Sequence, residues 1–537
     1  MNSIWQKYHT GSWLIAAIVF LLFGMRSIGL PGLYLDAVNP DYLAAHVLNP
    51  EINNFRFLLP GNDKFPVLAG YYYGVQNFYL ALPFLAFFGS SVTTIRLAQM
   101  VFGAIIVAAS TKIIERLSRS YWISLAYGVM VASELAFIAS FRTQNFIILG
   151  GLAWTFVSLL FLVPRQENIK AGNTGILMSG VFAGLASYGY FVLGFFFPAM
   201  ILLVIKQAAS KKKGVLIWIT GVCVGCLPYV VGYAKMWRAA GSFTQFIEQI
   251  RSGLSALHPI DETGSFIVNI HHAIDMTRLS LSNGENELMI LGDATHSPWG
   301  MLKFYLLIGT TAIALVLLAK DLLSKRQISL DLMFALLPVS YFCVAAFFGR
   351  RLWGHHFSVL VPFIYLMTAI LFARLLKQVP NHHRNLARHA LLALFAAAII
   401  LPNVHQQNVF FRELNRTGGV GKSSSAMTLM AEEALADGHN AIYAFPDWGF
   451  FASFNVLTEN RIPYVVDVSK GAIDAERKGF PDRNEIRLAY WDDKDEASYK
   501  QALLDAGADS VNKRDYLQRD GRTAFHMLTA HLPPNAP

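Results

Sequence analysis

The 537-residue chain is 54% hydrophobic and only 15% charged, against roughly 25% charged residues in soluble domains, which excludes a soluble enzyme and indicates a polytopic membrane protein. Its formal charge of +9 is uneven: residues 1–404 hold 29 basic and 16 acidic side chains, and residues 405–537 hold 15 and 19. The basicity therefore follows membrane topology, and no aromatic-interleaved basic stripe points to a nucleic-acid partner.

In chain order, Lys7 followed by the apolar run Trp13 to Phe23 reads as a retained signal anchor, with no small-residue cleavage site after it. Apolar spans of about 20 residues fall near 11–30, 92–115, 121–140, 145–163, 174–190, 192–206, 214–234, 301–320, 330–348, 356–375 and 388–404. About eleven transmembrane helices are thus expected. Val75 to Phe88 is apolar but short, so it is expected to be an interfacial or re-entrant helix rather than a crossing. Cys223, Cys226 and Cys343 lie inside these apolar runs, and Cys223-Val-Gly-Cys226 reads as small-residue helix packing rather than a redox or metal pair.

Charge sets the orientation. The alternate loops carry Lys112, Arg116 and Arg119; Arg165 and Lys170; Lys206 with Lys211 to Lys213; Lys320, Lys325 and Arg326; and Arg374, Lys377, Arg384 and Arg388. The long loop Lys235 to Gly300 has four basic against seven acidic residues. The positive-inside rule then places the N-terminus in the cytoplasm and the C-terminus in the periplasm or outside the cell. From about residue 405 helical and strand-like stretches alternate (Ala426 to Ala436, Ala441 to Phe445, Ile462 to Asp467, Glu496 to Ala506), predicting a small extracytoplasmic α/β domain over 405–537 behind a membrane module over 1–404 with outer loops 31–91 and 235–300. Gly418-Gly-Val-Gly421-Lys422-Ser423 resembles a phosphate loop only superficially, because Arg416 stands where its first glycine belongs and no strand leads into it.

The first outer loop carries the chemistry. Gly32-Leu-Tyr34-Leu-Asp36-Ala-Val-Asn-Pro-Asp41-Tyr42 holds two carboxylates just past the first span, followed by Asn62-Asp63-Lys64-Phe65-Pro66 and by Tyr71, Tyr72 and Tyr73. Asp36, flanked by Tyr34 and Leu35, is the better general base, since exclusion of water raises a carboxyl pKa. Asp41 either orients the acceptor or base, or caps the helix that Asn39-Pro40 begins. Tyr34, Tyr71, Tyr72 and Tyr73 are the candidate sugar or acceptor contacts. Outward cations forgo the cytoplasmic preference and so need an anionic partner: Arg26, Arg56, Lys64, Arg96, Arg142, Arg350, Arg351, with His355 and His356 beside the last pair. That partner is either a carboxylate or the phosphate of a lipid-linked sugar; plain snorkelling to headgroups is the alternative. Glu134, about two turns inside its span, is expected to pair with Arg142 or Arg96.

Together and in this order, these motifs resemble the GT-C superfamily of polytopic glycosyltransferases, in the branch of protein O-mannosyltransferases and the lipid A aminoarabinose transferase. The motifs are Tyr34 to Tyr42, Lys64 to Tyr73, Thr94-Ile-Arg96 to Gly103, Ser140-Phe-Arg142-Thr-Gln144-Asn145 and His355-His356 to Pro362, spread over residues 10–375. The resemblance implies a sugar moved from a polyprenyl-phosphate donor to a lipid, protein or glycan acceptor at the outer face of the plasma (bacterial inner) membrane. It implies Asp36 as base and Lys64 at the donor phosphate, assisted by Arg96, Arg142, Arg350, Arg351, His355 and His356. It also implies an inverting displacement, and an outer C-terminal domain that covers or selects acceptors. Three departures stand out: Ala37 replaces an acid beside Asp36, Gln144-Asn145 replaces an acid in the turn, and Phe65 replaces the first proline after the lysine. No cofactor is expected, and no dense carboxylate cluster argues for a divalent ion, although some relatives use one. The rival expectation is a lipid or glycolipid flippase, which would show internal repeats and mid-membrane charges. In the C-terminal part, Phe445-Pro-Asp447-Trp448-Gly449-Phe450-Phe451 is either a sugar-stacking loop or a packed turn.

Overall fold

The computed structural model describes residues 11–40, 42–49, 59, 65–166, 170–257, 265–294, 297–324, 328–378, 384–437 and 440–533. The expected site residues Asp41 and Lys64 lie outside these, as do Arg56, Asn62, Asp63, Lys7, Lys325 and Arg326.

Every expected apolar stretch is helical, yet far fewer than eleven helices are long and apolar enough to cross a bilayer. Among the described residues these are Val92–Ser118, Pro298–Leu323, Leu330–Arg351, Gly354–Gln378 and Ala387–Thr417, with Lys211–Gly225 and Leu227–Ala240, bent by 42°, as a sixth. The shortfall has a local cause, because several stretches are interrupted. The stretch 121–140 breaks at Ser133, and Glu134 caps a second short helix by accepting from the Ala136 N–H at 2.9 Å. The stretch 192–206 begins as a 3-10 turn, Phe191–Phe196, before Phe197–Gln207. Hydropathy registers apolar length and cannot register a break in the hydrogen-bond ladder. The short helix Gln76–Phe88 follows the tyrosine turn as expected.

Small residues let the spans approach. A Cβ at Gly180 or Gly184 would come within 2.2 or 2.3 Å of Trp218 or Val222 carbonyl oxygens, and one at Gly225 within 2.1 Å of Val181 O. The helices Asn173–Gly189 and Lys211–Gly225 thus meet backbone to backbone, as small-residue seams in membranes do. Cys226 belongs to this seam, with its Sγ 3.5 Å from Gly184 O.

Glu134 pairs with neither Arg142 nor Arg96. Its carboxylate meets Lys303 Nζ at 2.5 Å and the Tyr365 hydroxyl, both partners fully buried. Arg142 and Arg96 donate to main-chain carbonyls instead, and the acid takes the cation of a later helix.

Strands β1 (Leu68–Gly70) and β2 (Tyr73–Gly74) form a small antiparallel hairpin before the membrane helices resume. Much later, the helix Arg384–Thr417 runs unbroken through the expected boundary at residue 404 and ends at Gly418. Beyond it, strands β3 (Ala441–Ala444), β4 (Tyr464–Val465), β5 (Glu485–Tyr490), β6 (Ser510–Leu517) and β7 (Thr523–His531) form one sheet in the order β4-β3-β5-β7-β6. β4, β3 and β5 are parallel, while β7 runs antiparallel to β5 and β6. One apolar core joins this sheet to the first outer loop: Leu33, Val38, Leu43 and Ala44 pack with Phe445, Phe450, Phe451 and Phe454. Polar contacts close the rim, from Asn460 Nδ2 to Asn49 O (2.6 Å) and from Ser90 N to Glu459 Oε1 (3.3 Å).

Candidate active site

The loop bearing Asp36 leaves the helix Ser12–Gly24, whose last carbonyls have no partner within the helix. Two buried arginines bond Gly24 O at its end and the carbonyls of the loop that follows. Arg142 donates to Ser27 O (3.0 Å), Leu30 O (2.8 Å), Gly24 O (2.9 Å) and Arg26 O, and Arg96 to Ile28 O (2.7 Å), Pro31 O (2.6 Å) and Gly32 O (3.4 Å). As outward cations both are expected at an anionic partner, a carboxylate or the donor phosphate; in the structure they hold the backbone that presents Asp36. Gln99 Nε2 adds a bond to Ala37 O at 3.2 Å.

From the other side the glycine-rich segment after Thr417 closes on the same loop. Gly32 N donates to Ser423 O at 2.9 Å, and a Cβ at Gly32 would stand 2.0 Å from Ser424 O. That contact places exposed Lys422 with its Nζ 5.8 Å from the Tyr34 ring centroid and 6.0 Å from that of Trp491. Sequence alone does not single out Lys422, because its motif invites only a nucleotide-loop reading, which fails. A helix precedes it, and the lysine serves another site.

Asp36 is half-buried in a 3-10 turn, Leu35–Ala37, and accepts no hydrogen bond among the described residues. Burial raises its carboxyl above the usual range, and the charges of His355 and then Lys422 pull it back. The Tyr34 phenol is pushed up to about 12 by burial and by Asp36, against a hydrogen bond from Trp448. Burial likewise raises Tyr72 and Tyr73, with Asp36 adding to both. These phenols are neutral donors at physiological pH.

The aromatic shelf divides. Tyr73 accepts from Asn39 Nδ2 at 2.8 Å and stacks on Tyr190 at 5.6 Å, and Tyr72 meets Tyr190 edge-on at 5.5 Å. Tyr71 turns away, into a cluster with Tyr229, Tyr233 and Leu68 where a Cβ at Gly253 would touch its ring. Tyr71 and Tyr72 form the turn between β1 and β2, where the chain reverses and the side chains part.

The histidine-rich segment divides as well. His355 Nδ1 lies 3.4 Å from Glu285 Oε1 and 3.1 Å from Gln144 Nε2. Buried His356 takes the Trp353 N–H on Nδ1 at 3.0 Å and meets the Tyr190 hydroxyl through Nε2 at 3.3 Å, one layer behind. Arg350 and Arg351 are exposed on the preceding 3-10 turn and form no ion pair among the described residues. Of this group His355 is the one whose charge reaches Asp36. The site therefore gathers Asp36, Tyr34, Tyr72, Tyr73 and His355 with Lys422, Tyr190, Trp448 and Trp491, four residues that no local pattern in the sequence ties to Asp36. Among the described residues no group of three or more His, Cys, Asp or Glu side chains is placed to hold a metal ion. A desolvated carboxylate near the Lys422 ammonium and the His355 ring, between aromatic walls, is equipped to take a proton while an anion is held nearby.

No family model and no curated protein matches the sequence. Solved structures do match. The chain is similar to ArnT from Cupriavidus metallidurans in the apo state (11% identity, covering 97% of this chain and 98% of that one, TM-score 0.56) and to the same protein bound to undecaprenyl phosphate (11%, 98% and 99%, TM-score 0.51). It is also similar to the apo oligosaccharyltransferase of Archaeoglobus fulgidus (12%, 94% and 72%, TM-score 0.50). These neighbours are GT-C glycosyltransferases, and the likeness shows that the chain has their fold, that of an integral membrane protein.

Proposed function

We propose that the protein is a membrane glycosyltransferase that moves a sugar from a polyprenyl-phosphate donor to an acceptor at the outer face of the membrane. The observation that carries this reading is Asp36, desolvated and accepting no hydrogen bond among the described residues, with the charges of His355 and Lys422 acting on it beside aromatic rings. The shared fold, and the undecaprenyl phosphate bound by one neighbour, supply the donor class.

In this mechanism Asp36 takes the proton of an acceptor hydroxyl or amine. The freed lone pair attacks the anomeric carbon, and the bond from that carbon to the donor phosphate oxygen breaks. The departing phosphate gains charge as it leaves, and His355 and Lys422 balance it, joined by Lys64, Arg350 and Arg351. Arg96 and Arg142 act at one remove by fixing the loop. Tyr34, Tyr72 and Tyr73 exclude water and donate hydrogen bonds. The N-terminus is cytoplasmic, residues 405–537 form the outer domain, and the membrane is the plasma or bacterial inner membrane.

Binding of undecaprenyl monophosphate to the purified protein, with Asp36→Asn, Lys64→Ala and Lys422→Ala variants, tests the reading. Saturable binding weakened in either lysine variant and retained in Asp36→Asn is the expected result. Absence of specific binding in the unaltered protein would overturn it.

A further inference from the structure

The loop Phe445 to Phe451 is at once a packed turn and an exposed aromatic surface. Phe450 and Phe451 are buried, yet Trp448, next to Asp447, stands 52% exposed. Solvent exposure of so large an apolar ring is unfavourable, and the surrounding structure nevertheless holds it in place. The Trp448 indole N–H bonds to Tyr34, its carbonyl accepts from Trp491 Nε1 at 2.9 Å, and its ring meets Phe451 edge-on at 6.0 Å and 75°. Asp447 braces the loop further by accepting from Trp491 N (2.8 Å) and the Tyr499 hydroxyl (2.5 Å). Trp491 in turn is stacked on Phe450 at 3.9 Å and 16°. Gly449 permits the turn, with φ at +116° and a would-be Cβ 2.9 Å from the Tyr34 ring. The exposed indole is thus fixed in orientation and tied, through Tyr34, to the loop of Asp36.

Its surroundings decide what it faces. The segment after Trp491 carries Asp492, Asp493 and Lys494, with side chains 51%, 66% and 73% exposed. These charges follow Trp491, whose indole bonds to the Trp448 carbonyl, so the loop of the exposed ring has a charged, solvated border. Asp492 is paired with Lys494 at 3.0 Å and Asp493 with Lys513 at 2.6 Å, so the segment is a polar border and not a set of free acids. An immobilised aromatic plane with a polar border matches a sugar ring, which offers a C–H face to the plane and hydroxyls to its rim.

We infer that Trp448, backed by Tyr34 and Trp491, is the platform on which a saccharide of the acceptor stacks, so that the acceptor is a glycan or glycolipid. The inference rests on the glycosyltransferase reading and refines it. The platform presents the sugar at the mouth of the site, and the hydroxyl to be modified reaches Asp36 past Tyr34.

The test is binding of defined gluco-, manno-, galacto- and arabino-oligosaccharides to the full-length protein in detergent, measured by saturation-transfer NMR and calorimetry. At least one series is expected to bind saturably, with affinity reduced tenfold or more in Trp448→Ala, restored to within about threefold in Trp448→Phe, and indifferent to Asp36→Asn. Undecaprenyl monophosphate binding, measured in parallel, is expected to be unchanged by Trp448→Ala. If the unaltered protein binds the polyprenyl phosphate but no oligosaccharide, or if Trp448→Ala binds oligosaccharides as tightly, the platform is overturned while the transferase reading stands. If Trp448→Ala instead loses affinity for phosphatidylglycerol vesicles and not for oligosaccharides, the ring is a lipid contact and the inference falls. Loss of polyprenyl-phosphate binding in the unaltered protein is the separate result that removes the reading beneath it.

Discussion

Glu134 and Asp36 are both withdrawn from water, and they are kept in opposite ways. Glu134 is fully buried and bonded on all sides, to the Lys303 ammonium at 2.5 Å, the Tyr365 hydroxyl and the Ala136 N–H. Asp36 is half-buried and accepts no hydrogen bond among the described residues, with only the nearby charges of His355 and Lys422 to offset desolvation. An acid with its lone pairs engaged holds helices together. An acid left desolvated and unbonded beside cations is available for proton transfer. The contrast also applies to the cations: Arg96 and Arg142 are spent on carbonyls, while Arg350, Arg351 and Lys422 are exposed.

Replacement of each acid is the sharpest way to break this comparison. Asp36→Asn is expected to lower turnover by about 10²–10⁴-fold while leaving undecaprenyl monophosphate binding intact, as read by steady-state assay and calorimetry. Glu134→Gln is expected to act on stability, because it strands a buried ammonium; the loss is about 3–5 kcal/mol. Thermal unfolding in detergent reports it, and the Glu134→Gln/Lys303→Met double variant is expected to recover most of the loss. Equal behaviour of the two single variants in both assays would erase the distinction.

Lys422→Ala sharpens it at a smaller scale. Loss of one charge-assisted contact is expected to weaken polyprenyl-phosphate binding about tenfold or more. Lys422 lowers the Asp36 pKa, so its removal is expected to move the acid limb of the pH–rate profile to higher pH. The smallest expected effect concerns stability. The folded-state pKa of Asp36 lies above its ordinary value of 3.8, so the native state binds more protons than the unfolded chain as pH rises through that interval, and stability is lost there. Asp36→Asn is therefore expected to raise the unfolding midpoint at neutral pH, with the gain vanishing below pH 3.8.

Much of the architecture is legible in the sequence because apolar length and loop charge are written locally. Asp36 is visible for the same reason, as an acid just past an apolar run among residues that exclude water. The employment of Arg96 and Arg142 is not, since their partners are main-chain carbonyls whose direction depends on how the helix Ser12–Gly24 ends. Lys422 and Trp448 reach Asp36 only through tertiary packing from the far end of the chain. In the C-terminal sheet, β6 escapes notice because it is an edge strand: Lys513, Arg514 and Asp515 are exposed along it, and such charges guard an edge while erasing the alternation that betrays a strand.

The unbroken helix Arg384–Thr417 and the loop it delivers to Gly32 also order events in time. Asp36 is synthesised and inserted early, whereas the lysine that tempers it and the tryptophans near it, Trp448 and Trp491, follow hundreds of residues later. A nascent or C-terminally clipped copy therefore carries the acid without its counter-charge or its shelter. Late segments complete the surroundings of Asp36, so damage there is expected to undo the site proposed around a residue made much earlier.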